Sequence, residues 1–333
     1  MDHIQDIIDR IEQVVQSHRL ADGQYRRWLW QNATGSRDLG PNPYGCADAA
    51  NILYTINRFP RDLEERQAWV QTLQSFQDPE SGLFHEATHT PYHTTAHCVA
   101  ALELFDAAPL HPLTEMHRHL PTGKLEEFLD SLDWVENPWG DSHKGAGLYA
   151  AMVLTDEGNG DWYQRYFQWL WDNGDPDTGF WKQGAPRQPD AAPLYQFMAG
   201  GFHYLFNLEY AKMPLRYPEK VIDCCLEMYD TDNILPYMGK KCSFIDIDWV
   251  YCLTRASRQT PHRHQEVKEH LRRLWRTSLD FWRSVDWDKD ESVHDLHTLF
   301  GEICALAELQ QALPGEIITH RPLRLVLDRR PFI

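Results

Sequence analysis

The sequence predicts an all-α fold in a single domain, and three observations point to it. The chain has 333 residues, of which 42% are hydrophobic and 24% charged, so it can bury a large core. Apolar residues recur at spacings of three and four along most of the chain, which is the period of an amphipathic helix. β-Branched residues are few and alternating apolar stretches are short, so strands are not expected.

Six of the predicted helices are of an outer type, charged on one face and apolar on the other. The helix at 2–19 shows the pattern, because its isoleucines and valines form one stripe among acidic and amide residues. The other five outer helices are predicted at 62–76, 122–131, 160–173, 217–229 and 264–284.

Six further helices are of an inner type, rich in small or aromatic residues on most sides, as a largely buried helix should be. The first, at 44–54, carries a run of small residues around Asp48. The others are predicted at 92–106, 143–155, 192–211, 243–257 and 294–311.

The two types alternate, so the chain reads as six helical hairpins with a period of roughly 50 residues. Corresponding points on the inner helices are Asp48, His97, Gly147, Gly201, Asp248 and Gly301. Hairpins that cannot bury their apolar faces alone must stack or close into an array. No linker divides the array, so we predict one domain over residues 1–315 and a C-terminal tail, 316–333, packed on it or on a partner.

Two loops that follow outer helices share the pattern D-P-x-[ST]-G-x-[FW], at 78–84 and 175–181. Six αα hairpins with such loops resemble the (α/α)6 toroid of six-hairpin glycosidases, polysaccharide lyases, sugar epimerases, and the terpenoid cyclase and protein prenyltransferase group. The resemblance covers the architecture of nearly the whole chain but no specific motif. It implies an active site at the mouth where the inner helices begin.

Four residues near those helix starts are the candidate catalytic groups. Asp48 lies on an apolar helix, where a carboxylate must be paired, hydrogen-bonded or protonated. Asp248 is predicted to point inward from its helix, while Asp246 or Ser243 caps it. His97 and His297 can transfer protons, and closure of the ring would bring His297 beside Asp48.

Further polar and aromatic residues near the mouth are the candidate substrate-binding groups. Aromatic rings stack on sugars, and the chain has 13 Trp, 14 Tyr and 14 Phe. Histidines and acids at the same end suit a polyhydroxylated ligand better than a hydrocarbon. These candidates are His93, Trp139, His143, Trp181, Tyr195, His203, Asp246, Trp249, His294 and Glu302.

No cofactor is expected, but a divalent metal is kept open because His93 and His97 lie one helical turn apart and an acid could complete the site. The seven cysteines show no CxxC spacing, so they are expected to be reduced and buried.

The net charge of −17 argues against nucleic acid and anionic membranes as partners. No signal peptide or apolar run long enough to span a bilayer is evident, so we expect a soluble, cytoplasmic protein. A small-molecule or oligosaccharide ligand is expected, and a homo-oligomer is left open.

The sequence thus favours a carbohydrate-active enzyme of the glycoside hydrolase, lyase or sugar epimerase type. One alternative is an isoprenoid cyclase-like or prenyltransferase-like enzyme. Another is a non-catalytic glycan-binding or scaffold toroid.

Overall fold

A computed structural model describes residues 1–231 and 236–332, and within them the chain forms twelve α-helices. The first six are α1 (Gln5–Ser17), α2 (Pro43–Thr55), α3 (Leu63–Ser75), α4 (Pro91–Glu103), α5 (Lys124–Asp130) and α6 (Pro138–Leu154). The other six are α7 (Gly160–Asn173), α8 (Leu194–Ala211), α9 (Pro218–Asp230), α10 (Phe244–Ser257), α11 (His264–Ser284) and α12 (Leu296–Ala312).

Each predicted helix has a counterpart among these twelve, and the all-α prediction is confirmed. The largest boundary error concerns α6, which begins at Pro138 rather than at 143, because proline with its fixed φ starts the helix there. α12 begins at Leu296 rather than at 294, because the Asp295 side chain accepts a hydrogen bond from the His297 amide and caps the helix.

The even-numbered helices are the buried ones, and they contact one another in order. α2 packs on α4, α4 on α6, α6 on α8, α8 on α10, α10 on α12, and α12 on α2. Glycines allow the close approach: a Cβ on Gly147 would lie 2.9 Å from the Tyr92 carbonyl oxygen, and one on Gly200 would lie 2.8 Å from that of Pro138. Odd-numbered helices pack outside this group, as α3 does on α4 and α11 does on α12.

The two similar loops are turns closed by their aspartates. Asp78 Oδ1 accepts hydrogen bonds from the Ser81 amide (2.7 Å) and hydroxyl (2.8 Å), and Asp175 Oδ1 does the same with Thr178 (3.0 and 3.2 Å). Gly82 lies at φ +76°, a conformation that residues with a Cβ rarely adopt. These aspartates therefore shape the loops.

Four strands of two or three residues supplement the helices in the described part of the chain. β1 (Asp2–His3) pairs in parallel with β4 (Ile317–Ile318), and β2 (Arg19–Ala21) pairs with β3 (Gln24–Tyr25) in antiparallel fashion. The β1–β4 pairing joins the start of the described chain to the residues that follow α12.

All seven cysteines are buried and free. Among the described residues no helix combines the length and the apolar character needed to cross a membrane.

Candidate active site

A cavity of about 520 Å³ opens where the even-numbered helices begin. Several residues predicted as catalytic or substrate-binding line it, namely His93, Trp139, His143, Tyr195, His203, Asp248 and His297. The remaining lining residues are Arg27, His89, Asn137, Gly140, Gln196, Phe244 and Thr298. Since they come from five of the inner helices and the loops before them, the helix N-termini share one mouth.

Asp48 lies directly behind this cavity, fully buried between two histidines. Its Oδ1 lies 2.8 Å from Nε2 of His97, and both carboxylate oxygens lie 3.2 Å from Nδ1 of His297. His97 is enclosed like Asp48, whereas the ring of His297 also reaches the cavity wall. The aspartate thus ties together α2, α4 and α12.

The electrostatics of this group follow from burial and from the two imidazoles. Burial alone would raise the pKa of Asp48, but His297 and His97 hold that pKa well below its ordinary value. Burial lowers the pKa of His297 to about 3, although Asp48 opposes this shift. At neutral pH, therefore, Asp48 is ionised, the neutral His297 carries its proton on Nδ1, and Nε2 is left as an acceptor.

Asp248 brings a carboxyl group to the cavity wall, and its pKa is shifted in the opposite direction from that of Asp48. It is 1% exposed, and neither of its carboxyl oxygens has a hydrogen-bond partner among the residues that the structure describes. Burial raises its pKa well above the ordinary value, and the nearby Asp246 raises it further. Burial therefore favours the protonated form of Asp248, which can donate a proton.

Three other histidines on the wall are each held by a hydroxyl group. His93 Nδ1 is hydrogen-bonded with the Tyr44 hydroxyl. His143 Nε2 lies 2.8 Å from Thr90 Oγ1, and His203 Nδ1 lies 2.9 Å from Ser142 Oγ. Burial lowers the pKa of His143 to about 3 and those of His93 and His203 well below the ordinary value, so these rings are neutral.

Arg27 brings a guanidinium group to the wall, but its charge is already matched. Nε and Nη2 donate to the two carboxylate oxygens of Asp295 at 2.7 and 3.0 Å, while Nη1 donates to Thr88 Oγ1 at 2.8 Å. The Arg27 ion pair therefore holds the loop before α12 against the loop before α4.

No known protein family, curated protein or solved structure matches the chain. What the cavity does has to be inferred from its own residues.

Besides Asp48 and His97, five predicted site residues do not line the cavity. Trp181 and Trp249 donate their indole N–H groups to the carbonyls of Leu170 and Cys225, and they pack in the core. His294 precedes α12, where its ring stacks on His18 and its Nε2 bonds to the Trp287 carbonyl.

The other two of the five are acids buried beside the cavity. Asp246 accepts hydrogen bonds from the Gly239 amide (2.6 Å) and the Ser243 hydroxyl (2.9 Å). Burial raises the pKa of Asp246 to about 7, and it raises the pKa of Glu302 well above the ordinary value. A charge on Asp246 therefore favours the neutral form of both Glu302 and Asp248.

Sequence reasoning missed Arg27, Tyr44 and Phe244. Tyr44 is central, because its ring stacks on His89 and His97 at centroid distances of 4.3 and 4.9 Å and meets His297 edge-on at 4.6 Å. Its place in the first turn of an inner helix was a usable signal, whereas Arg27 lies in a loop and carries no pattern.

Proposed function

We propose that this protein is an enzyme that moves protons to and from an uncharged sugar, within a single-domain (α/α)6 toroid. The observation that carries this proposal is the position of His297, between the buried Asp48 carboxylate and the cavity, in a cavity that also contains the neutral acid Asp248. The toroid is supported by the cyclic order of the inner-helix contacts, in which α12 returns to α2.

His297 is the proposed base. Asp48 orients the ring through Nδ1 and stabilises the imidazolium that forms when Nε2 takes a proton. His97 donates its Nε2 proton to Asp48 and so holds the carboxylate from the other side. Asp248 is the proposed acid, since its burial favours the protonated form of the carboxyl group.

The substrate is proposed to be uncharged because the cavity offers no spare cation among the described lining residues. The Arg27 guanidinium is committed to Asp295 and Thr88, and burial keeps His93, His143, His203 and His297 neutral. A phosphate or carboxylate group would therefore lose its hydration without a compensating charge.

A sugar fits the rest of the wall. Trp139, Tyr195 and Phe244 provide ring faces, and Asn137 and Gln196 provide amide groups that can both donate and accept hydrogen bonds. A hydrocarbon offers no hydrogen bond to these amides or to the second ring nitrogen of each imidazole, so the lining favours a sugar over an isoprenoid.

Epimerisation or elimination is favoured over glycoside hydrolysis. Hydrolysis ordinarily uses two carboxyl groups on either side of the scissile bond. In the described part of the chain only Asp248 brings a carboxyl group to the cavity wall, while Asp48 is enclosed by two imidazoles. An imidazole base and a carboxylic acid are instead suited to removing a proton from carbon and returning one.

The test is solvent exchange, which can be measured on many sugars in parallel without choosing one substrate in advance. Neutral aldoses, ketoses and N-acetylhexosamines are incubated with the protein in D2O and followed by ¹H NMR. We expect one C–H signal of at least one sugar to disappear, or an alkene signal to form if the enzyme is a lyase. The His297→Gln and Asp248→Asn variants should be slower by about 10²–10⁴-fold.

His294→Gln is the matched control, because His294 and His297 are 6% and 5% exposed but only His297 reaches the cavity. The control should retain the wild-type rate. The proposal is wrong if the wild-type protein exchanges no sugar, or if both histidine variants lose the same activity.

Metal-dependent chemistry is the second candidate, and one observation favours it. Asp48, His97 and His297 each bring one ligating atom to within 4.8 Å of the others, and two imidazoles with a carboxylate suit zinc or iron. Metal analysis of the purified protein tests this candidate. One equivalent of a divalent metal, lost in Asp48→Ala, would make Asp48 a metal ligand instead of the residue that orients His297. Absence of bound metal would exclude the candidate.

A further inference from the structure

A segment near the C-terminus packs behind the candidate active site, on the side away from the mouth. Residues 326–332, here called the C-terminal segment, contact α4, α8 and α10 near the ends of these helices that are remote from the mouth. Arg329 pairs with Glu103 at 2.9 Å, Pro331 accepts a hydrogen bond from Asn207 at 2.7 Å, and Asp328 pairs with Arg255 at 2.8 Å. The segment therefore lies across the ends of the inner helices that are remote from the mouth.

Phe332 extends from this segment to the back of the cavity wall. Its side chain is fully buried, and its ring meets His93 edge-on at a centroid distance of 5.0 Å. It lies parallel to the ring of His203 at 6.5 Å and against Phe206 at 5.8 Å. The two imidazoles thus have the cavity on one side and an aromatic ring on the other.

The segment is fixed by directed hydrogen bonds as well as by packing. Asn207 Oδ1 accepts from the Tyr166 hydroxyl at 2.6 Å, which orients the amide so that Nδ2 donates to the Pro331 carbonyl. Arg330 is fully buried and donates from Nη1 to the Ala100 carbonyl at 3.0 Å. The residues just before Phe332 are thereby anchored to α4 and α8, the helices that carry His93 and His203.

We propose that Phe332 is a positioning residue of the active site: it fixes the imidazoles of His93 and His203 from behind and keeps water out of the space beneath them. The C-terminal segment is then part of the substrate site. The catalytic part of this proposal rests on the proposed function, whereas the packing of the histidines does not.

Three variants test it. Phe332→Ala removes the ring, and Phe332→Leu restores part of the apolar volume. Phe105→Ala is the matched control, because Phe105 is a buried phenylalanine that contacts Trp69 and Phe59 in the outer layer. Chemical denaturation gives the stability of each variant, and the denaturation midpoints of the two alanine variants should fall by similar amounts.

The decisive measurement is the titration of the histidine side chains by ¹⁵N NMR. In Phe332→Ala, water reaches the backs of two rings, so the pKa values of His93 and His203 should rise toward the ordinary imidazole value of 6.5. His297 makes no ring contact with Phe332 among the described residues, so its pKa should not rise. Phe332→Leu should give intermediate shifts, and Phe105→Ala should give none.

Activity is the second measurement. In Phe332→Ala, kcat for sugar exchange should fall at least tenfold. Unchanged titration of His93 and His203 would overturn the proposal, whether or not any sugar reacts. Shifted titration with unchanged exchange would reduce Phe332 to a packing residue. If no sugar reacts with the wild-type protein, the proposed function fails, and the titration still decides whether Phe332 shields the histidines.

Discussion

Replacing Asp48 by asparagine perturbs the centre of the proposed base. The wild-type carboxylate accepts hydrogen bonds from His97 and His297, and each such charge-assisted bond contributes about 1.5–3 kcal/mol. Asparagine keeps one acceptor and turns an NH₂ group toward the other histidine, so the free energy of unfolding should fall by about 1.5–3 kcal/mol. Asp48→Ala leaves two buried imidazole N–H groups without acceptors and should cost about 3–5 kcal/mol.

The pH dependence of the stability lost in Asp48→Asn can also be predicted. Because the native pKa of Asp48 lies below the ordinary 3.8, its contribution is complete above pH 3.8 and is lost as pH falls through the native pKa. The deficit measured by urea denaturation should therefore be constant from about pH 7 to 9. The ¹⁵N shifts of His97 and His297 should show that one ring has changed its tautomer, because one ring nitrogen must now accept from the NH₂ group.

Asp130→Asn is the control, since Asp130 is an exposed partner of Lys182 and its loss should change stability by no more than about 0.5 kcal/mol. The reasoning is refuted if Asp48→Ala is as stable as this control. It is also refuted if both histidine tautomers survive in Asp48→Asn.

Three further predictions use other parts of the structure. Because the native pKa of Asp248 is raised, this residue makes the wild-type protein less stable as pH rises above 3.8. The free energy of unfolding of Asp248→Asn, measured by urea denaturation, should therefore increase relative to that of the wild-type protein by about 1.4 kcal/mol per pH unit from about pH 5. Both Gly82 and Gly35 have positive φ, but of the two only Gly82 has backbone atoms close to the position of an added Cβ. In thermal denaturation, Gly35→Ala should therefore lower the free energy of unfolding by about 1–2 kcal/mol, and Gly82→Ala should lower it by several kcal/mol more. Arg27→Met should lower the free energy of unfolding by about 3–5 kcal/mol, because it leaves the largely buried Asp295 carboxylate without its ion-pair partner.

Each of these three has an outcome that contradicts it. A pH-independent difference for Asp248→Asn would mean that Asp248 is ionised in the native protein. Equal effects of the two glycine variants would mean that the Gly82 loop can move aside. If Arg27→Met is destabilised by no more than the Asp130→Asn control, the Arg27 ion pair is not enclosed.

Much of the candidate site was predictable because the helical hairpins that carry it repeat along the chain. A period of roughly 50 residues aligns the starts of the inner helices, so polar residues there were expected to meet. His93, His143, Tyr195, Asp248 and His297 do share the cavity wall.

The failures have a common cause, which is the direction of a side chain around its helix. Trp249 follows Asp248 in sequence, yet its indole donates to Cys225 of α9 while Asp248 reaches the cavity. Asp246 instead accepts a hydrogen bond from the Gly239 amide, and that contact depends on how the loop before α10 folds. Helical periodicity limits these directions but does not choose among them.

The sequence by itself determined the helices, because periodicity, caps and prolines act over a few residues. It also placed Asp48 in surroundings where a lone charge cannot persist. Only the tertiary structure decided what compensates that charge: His297, 249 positions away, meets Asp48 because α12 packs on α2. The same holds for Phe332, which reaches His93 and His203 only because Asn207 and Ala100 anchor the C-terminal segment across the helix ends. Contacts of this kind depend on the closing of long loops, and no local pattern in the sequence records them.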